Sequence, residues 1–269
     1  MNQEKIRIQK VLARAGVASR RHCEELIDEG RIQVNGKTVK KQGTKVDPEN
    51  DEILLDGNSV DLSFESYTIM LNKPAGYLSA MDDARGKRCV SELVPFDKYP
   101  NLFHVGRLDF DTTGLLIFTT DGELGQKILH PKAETTKTYL VAVKEQPSDT
   151  RLQILRDGVE LNDGLTSPAE VRVLKDRERE KAITAFDFAS PGASGIAEGH
   201  SPQELACACI LEVKIHEGKN RQIRRMFSTI AHPVMALHRT AIAGLKLDKL
   251  ERGKFRELDE EEIDKLIGE

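Results

Sequence analysis

The sequence predicts an α+β fold in two domains, a small one over residues 1–62 and a larger one over residues 63–269. Strand-like spans predominate and long helices are few, which agrees with this class, although periodicity alone does not specify it. The chain of 269 residues is long enough for one large and one small domain. An acidic, polar stretch, 47–65, separates two short helices and a hairpin from the strand-rich remainder, so the domain boundary is expected there.

The small domain shows clear local signals. Apolar residues at helical spacing run from Ile8 to Ala15, and Gly16 follows as a helix end would. Ser19 begins a second predicted helix, which ends at Gly30. The turn Asn35-Gly36 between short apolar runs then predicts a tight hairpin.

Basic residues are concentrated in two segments although the formal net charge is −4. Residues 1–46 hold eleven Lys and Arg against five Asp and Glu, and residues 214–239 hold six against one. Arg20 and Arg21 occupy the first turn of the second helix, where the helix dipole disfavours cations, so an external phosphate is the expected partner. The two segments indicate a polyanion partner, and the alternative is that they are solvated faces.

Composition also excludes several classes of protein. The four cysteines form no CxxC pair and no spacing with His that is typical of zinc sites, so neither a metal site nor a disulfide framework is expected. No apolar stretch reaches the roughly 18 residues that a membrane span needs, and the charged start is unlike a signal peptide. We therefore expect a cytoplasmic protein that binds no membrane.

The larger domain is predicted to contain several strands and short helices. We expect strands at 67–72, 137–143, 169–174, 181–188 and 208–215, and helices at 125–129, 149–157 and from 220 to just before His232. The polar span 81–88 is expected to be mobile until a ligand binds. The Gly- and Ser-rich stretch 190–205 is expected to be a flexible insertion without an assigned role.

One stretch, GRLDFDTTGLLIFTTDG from Gly106 to Gly122, predicts a loop, a buried strand and a second turn. Asp109 lies on the loop before the strand, where a carboxylate is both held and accessible. Asp111 enters the turn, and its usual role there is to bind local backbone amides.

This stretch resembles the catalytic segment of the RNA pseudouridine synthases, in the branch that modifies single uridines in bacterial ribosomal RNA. The resemblance implies that Asp109 is the catalytic nucleophile. NKPAGYLSA, from residue 72, resembles the family's first motif, which buttresses the active loop, and KTY places Tyr139 against the target base. EGKNRQIRRM resembles the third motif, with Lys219 as the cation beside Asp109 and Ile223 beneath the base.

The same resemblance implies an architecture. The larger domain is expected to have a bent, mainly antiparallel mixed sheet with a central cleft. Residues 5–50 resemble an S4 RNA-binding domain, although a helix pair with a hairpin is also compatible with protein docking.

Pseudouridine formation exchanges one glycosidic bond for another, so no cofactor and no metal are expected. The target base must leave its stack, and the phosphates around it must be held. We expect substrate contacts from Arg107, Arg221, Arg224, Arg20 and Arg21. Asp109 could attack C1′ of the ribose, attack C6 of the uracil, or remove a sugar proton; the residues leave all three open.

The expected partner is ribosomal RNA or an assembling ribosomal subunit, bound by a monomer. The start RIQKVLARAGVASRR and the ARGK segment favour large-subunit (23S) rRNA, and small-subunit (16S) rRNA is the near alternative. A non-catalytic ribosome-assembly factor is a second alternative. A hydrolase using Asp109 and Asp111 is disfavoured, because two residues so close on a turn rarely face one substrate across about 5 Å or more.

Overall fold

The computed structural model describes residues 5–63, 66–99, 101–186 and 202–268. These residues form eight α-helices and seventeen strands. The helices are α1 Ile8–Arg14, α2 Arg20–Asp28, α3 Gly122–Leu129, α4 Asp149–Asp157, α5 Asp176–Ala185, α6 Pro202–Ala206, α7 Gln222–Thr229 and α8 Glu260–Ile267. The strands are β1 Ile6–Arg7, β2 Ile32–Val34, β3 Lys37–Val39, β4 Lys45–Val46, β5 Ile53–Leu55, β6 Asn58–Ser59, β7 Thr68–Lys73, β8 Phe103–Val105, β9 Thr113–Thr119, β10 Lys137–Val143, β11 Glu160–Leu161, β12 Gly164–Leu165, β13 Glu170–Val173, β14 Cys209–Ile215, β15 Val234–Ile242, β16 Leu245–Lys246 and β17 Phe255–Glu257.

The chain divides into two compact units. One comprises residues 1–67, 96–103 and 119–122, and the other comprises residues 68–95, 104–118 and 123–269. In the first unit, helices α1 and α2 pack over a small sheet of order β3-β2-β5-β6. Ser19 caps α2 by accepting a hydrogen bond from the His22 amide, and Asn35-Gly36 turns with positive φ at both residues. The predicted helix pair and hairpin are therefore confirmed.

The second unit is built on one large sheet. Its strand order is β13-β14-β10-β15-β9-β7-β17, with β16 added beside β15 and β8 beside β9. Strand β10 pairs antiparallel with both β14 and β15, whereas β15 and β9 run parallel. The predicted fold class, a mainly antiparallel mixed sheet with helices, is confirmed.

Strand β9 lies inside this sheet, between β15 and β7, and the loop at 106–112 leads directly into it. All seven of its residues are buried, in agreement with the predicted buried strand. Gly114 has a φ of +106°, and a Cβ built there would lie 2.2 Å from the Arg239 carbonyl oxygen of β15. Only glycine allows the two backbones to approach so closely. The loop at 106–112 is therefore fixed to the sheet at its C-terminal end.

Two predictions differ from the structure or fall outside it. The strand predicted at 181–188 is wrong over 181–186, since α5 covers Asp176–Ala185, with Ala182 and the following residue Phe186 buried; residues 187 and 188 lie outside the described residues. A short apolar run fits both the helical and the strand period, so spacing could not decide. Of the predicted insertion at 190–205, residues 190–201 lie outside the described residues, and α6 begins at Pro202. In the described part of the chain, no helix has the length and apolar character needed to cross a membrane.

Candidate active site

A cavity of about 670 Å³ opens in the second unit and gathers most of the predicted site residues. Six of the nine line it: Arg107, Asp109, Tyr139, Lys219, Arg221 and Ile223. The Asp109 side chain is 27% exposed, so its carboxylate is accessible at the cavity wall. Arg224 is buried nearby, and Arg20 and Arg21 are exposed at the start of α2 in the first unit.

A buried lysine forms hydrogen bonds with the backbone of the loop that carries Asp109. Lys73, at the end of β7, is fully buried, and its Nζ donates to the carbonyl oxygens of Pro74, Asp109 and Thr112 at 2.9–3.1 Å. Burial lowers the Lys73 pKa to about 7, although the carboxylates of Asp111 and Asp109 oppose this shift. The first family motif therefore contacts the loop, as the resemblance implies.

A serine fixes the other side of the same loop. The Ser79 hydroxyl donates to the Leu108 carbonyl oxygen at 2.8 Å and accepts from the Leu108 amide at 3.0 Å. Leu108 directly precedes Asp109, so the backbone is tied on both sides of the carboxylate. Such support keeps a functional group in one geometry.

Two arginines of the α7 region bind the acidic side chains of this loop. The Arg221 Nη1 lies 3.9 Å from Asp109 Oδ2 and 3.6 Å from Asp111 Oδ1. The Arg224 Nη2 lies 3.0 Å from Asp111 Oδ2, and the Arg224 side chain is only 9% exposed. Burial lowers the Arg224 pKa, and Asp111 opposes the shift. The local backbone role expected of Asp111 is therefore not what the structure shows: its carboxylate partners are these two arginines.

Lys219 occupies a different place from the one that the resemblance implies. Its Nζ donates to the carbonyl oxygens of Asp163, Gly164 and Leu165 at 2.7–3.2 Å, which lie at the turn between β11 and β12. In the described part of the chain, the cation paired with Asp109 is Arg221. The expected ion pair between Lys219 and Asp109 is thus replaced in this structure, because the lysine is directed to three carbonyl oxygens.

Tyr139 lies at the cavity beside a buried arginine that the sequence did not single out. Its side chain is 7% exposed, and its hydroxyl accepts from Arg239 Nη1 at 3.4 Å. Arg239 is 3% exposed and donates from Nε to the Leu115 carbonyl oxygen at 2.7 Å, and among the residues that the structure describes its Nη2 has no hydrogen-bond partner. The one signal for Arg239 in the sequence was its place in the basic segment 214–239. That signal does not show that the side chain is buried, because arginine is seldom buried without a partner.

A second buried cation, Lys137, also lines the cavity. Burial lowers its pKa to about 8, with a further lowering by Arg239 and an opposing effect from Glu217. The cavity therefore combines an accessible carboxylate, an aromatic ring, an apolar floor at Ile223 and several cations. This set suits a planar, polar base attached to a negatively charged backbone.

Comparison with known proteins decides the family. The sequence profile described as RNA pseudouridylate synthase matches residues 67–229, which is more than half of the chain. The chain belongs to this family. An S4 domain profile matches residues 6–53. The expected RNA pseudouridine synthase with an N-terminal S4 domain is therefore confirmed.

Individual relatives agree with this assignment. The chain is 39% identical to ribosomal large subunit pseudouridine synthase B of Bacillus subtilis (strain 168), over 97% of this chain and 95% of that protein. It is 34% identical to the protein of the same name from Vibrio vulnificus (strain CMCP6), over 97% of this chain and 74% of that protein. A crystal structure of a pseudouridylate synthase superposes with a TM-score of 0.63 at 28% identity, covering 97% of this chain and 99% of the other.

Proposed function

We propose that this protein converts a specific uridine of ribosomal RNA, in the large subunit, to pseudouridine, with Asp109 as the group that initiates the reaction. The observation that carries the proposal is an accessible carboxylate on a loop fixed by Lys73 and Ser79, at the wall of a cavity that a base can enter. The names of the Bacillus and Vibrio relatives support the large subunit as the source of the RNA.

The chemistry needs an ionised carboxylate. Arg221 lies 3.9 Å from Asp109 Oδ2, and a nearby cation favours the charged form. Asp109 then attacks C1′ of the ribose, attacks C6 of the uracil, or removes a sugar proton to start an elimination. Each route detaches N1 of uracil from C1′, allows the base to rotate, and rejoins it through C5.

The other cavity residues hold the substrate. Tyr139 offers a ring against the extruded base, and Ile223 lies beneath it. Arg107 is exposed at the rim, where it can contact a backbone phosphate. Arg20 and Arg21 of the S4 domain contact phosphates farther along the RNA. On this proposal a monomer works in the cytoplasm on ribosomal RNA or an assembling subunit, without a cofactor.

The test is the variant Asp109→Asn with ribosomal RNA labelled with tritium at C5 of uridine. Wild type is expected to release tritium, and Asp109→Asn is expected to release none while it binds RNA with nearly unchanged affinity. Asp157→Asn, an exposed residue of α4, is the matched control and should remain active.

Mapping of pseudouridines in ribosomal RNA from cells with and without the gene identifies the subunit. A missing pseudouridine in small-subunit RNA would replace the large-subunit assignment. An active Asp109→Asn variant would contradict the role of Asp109, and an inactive wild type would favour a non-catalytic assembly factor.

A further inference from the structure

Phe110 is an exposed aromatic residue directly after Asp109. Its side chain is 46% exposed, whereas every other Phe or Tyr whose side chain the structure describes is buried or half-buried. Its neighbours Leu108 and Thr112 are buried, so the ring is the exposed apolar part of this loop, which also exposes the charged Arg107. A Phe side chain forms no hydrogen bond with water, so exposing it is unfavourable. Its exposure in the loop that carries Asp109 therefore indicates a binding role.

The backbone that carries this ring is well fixed. The Gly76 amide donates to the Phe110 carbonyl oxygen at 2.9 Å, and the preceding carbonyl oxygen, of Asp109, accepts from Lys73. Consecutive Cα atoms are about 3.8 Å apart, so the ring is anchored next to the carboxylate by the covalent chain itself. Residues held in this way can position a ligand without first becoming ordered.

A basic loop lies against the ring. The Lys87 Nζ is 5.8 Å from the centre of the Phe110 ring, and Arg85, Lys87 and Arg88 are all exposed. Mobility of the segment 81–88 before RNA binds stays a prediction; in this structure the Asp83 carboxylate accepts from the amides of Arg85 and Lys87 at 3.1 Å. The loop is therefore organised by a local turn, and it presents cations beside an aromatic surface.

An exposed ring with adjacent cations is the combination that single-stranded nucleic acid recognises, since a base stacks on the ring and a phosphate meets the cation. We propose that Phe110 and Lys87 bind the nucleotide next to the target uridine in the same RNA strand, with its base stacked on Phe110. This inference rests on the proposed function. Extrusion of the uridine exposes a face of its neighbour, and the Phe110 ring replaces the stacking that is lost.

The test combines two protein variants with two RNAs. Both RNAs are a ribosomal RNA fragment that contains the uridine modified by wild type. One is intact, and the other lacks the base of a nucleotide adjacent to that uridine; each of the two neighbours is tested. Phe110→Leu keeps apolar bulk but removes the aromatic face, and Phe110→Tyr keeps the face. Ile154→Ala, at an equally exposed apolar residue of α4, is the control.

Single-turnover pseudouridine formation at increasing protein concentration separates binding from chemistry. For Phe110→Leu we expect the protein concentration for half-maximal rate to rise about tenfold, with little change in the maximal rate. Phe110→Tyr and Ile154→Ala should behave like wild type. Removing the adjacent base should weaken binding by wild type by a similar factor and have little further effect on Phe110→Leu, because both changes remove one contact.

Lys87→Met tests the phosphate contact. It should weaken binding and reduce the dependence of affinity on salt by about one ion. Two results would overturn the inference while wild type stays active. One is an equal half-maximal concentration for wild type and Phe110→Leu. The other is that the effects of Phe110→Leu and of base removal add up, whichever neighbour of the uridine has lost its base. An inactive wild type would instead refute the proposed function.

Discussion

Lys219→Met and Arg221→Met should have opposite effects, because the structure assigns the two cations to different partners. Lys219 donates to three carbonyl oxygens at the β11–β12 turn, whereas Arg221 pairs with Asp109 and Asp111. The resemblance to the family's third motif would exchange these roles. Measuring stability and activity of both variants therefore distinguishes the two assignments.

The expected magnitudes follow from the contacts. Hydrogen bonds to a charged group contribute about 1.5–3 kcal/mol each when isolated, but one half-buried ammonium shares three acceptors here, so Lys219→Met should cost about 2 kcal/mol in total. The Arg221 and Asp109 side chains are 48% and 27% exposed at 3.9 Å, so Arg221→Met should change the unfolding free energy by about 0.5 kcal/mol or less.

Activity should show the reverse order. Loss of the cation beside Asp109, the carboxylate that we propose initiates the reaction, is expected to reduce the single-turnover rate of Arg221→Met by roughly a hundredfold, the usual scale for one removed electrostatic contact at a reacting centre. Lys219→Met should lose less than about tenfold, since it acts only through the position of its neighbours. Lys214→Met, which removes an exposed pair with Glu170, is the control and should change neither quantity appreciably.

The assay must resolve the second unit from the first. Urea unfolding followed by circular dichroism reports the whole chain, so hydrogen exchange at residues 160–165 should accompany it. Lys219→Met should accelerate exchange at this turn, and Arg221→Met should not. A Lys219→Met variant of normal stability and hundredfold lower rate would refute the assignment made from the structure.

Three further predictions concern residues that support the site or the RNA. Gly114→Ala should destabilise the protein by about 3 kcal/mol or more, or prevent folding, because its Cβ would lie 2.2 Å from the Arg239 carbonyl oxygen; a urea midpoint near that of wild type would contradict this. Burial lowers the Lys73 pKa from 10.5 to about 7, so the unfolded chain binds more protons between these values and the unfolding free energy should rise with pH there; Lys73→Met should remove this rise, and parallel curves would argue against it. Arg20→Glu combined with Arg21→Glu should weaken RNA binding at least tenfold and leave the rate at saturating protein concentration unchanged, whereas equal affinity in filter binding would exclude an RNA contact at the start of α2.

The first unit could be predicted well because its signals are local. A capping Ser19, the Asn35-Gly36 turn and the apolar spacing of α1 each act within a few residues. The helix α4, Asp149–Asp157, was predicted with the same bounds for the same reason. In contrast, α5 was mistaken for a strand, since its short apolar run has no decisive period and tertiary packing of Ala182 and Phe186 determines the outcome.

The sequence predicted which residues line the cavity better than it predicted which side chains pair with each other. The resemblance brought Asp109, Tyr139 and Ile223 to one cavity, as the structure has them. It could not show that Arg221 rather than Lys219 meets Asp109, because a motif specifies residue type and spacing but not side-chain direction. Arg221 has a φ of +47° just before α7, a left-handed conformation that is uncommon for a non-glycine residue and that the spacing alone does not reveal.

The basic segment 214–239 also has a role within the protein that its charge count does not reveal. A polyanion contact by this segment stays a prediction, and each of its six Lys and Arg side chains has a partner within the protein. The partners are Glu170 for Lys214, the 163–165 carbonyl oxygens for Lys219, Asp109 and Asp111 for Arg221, Asp111 for Arg224, Asp163 for Arg225, and the Leu115 carbonyl oxygen for Arg239. The start of α7 carries several arginines where its dipole disfavours them, and these carboxylates offset that cost.

The cations of this protein therefore fall into two groups, those with partners inside the protein and those exposed to solvent. Within 214–239, Arg221 and Arg224 contact the acidic loop, and Lys219 and Arg225 contact residues 163–165. Arg224, 9% exposed and paired with Asp111, has little accessible surface for the RNA contact predicted for it. The cations of the 85–88 loop and of the first turn of α2 are all exposed, whereas of the six in 214–239 only Arg221 is, although Arg88 lies 3.6 Å from Glu92. RNA affinity should therefore depend more steeply on these exposed residues than on the segment with the larger local excess of charge.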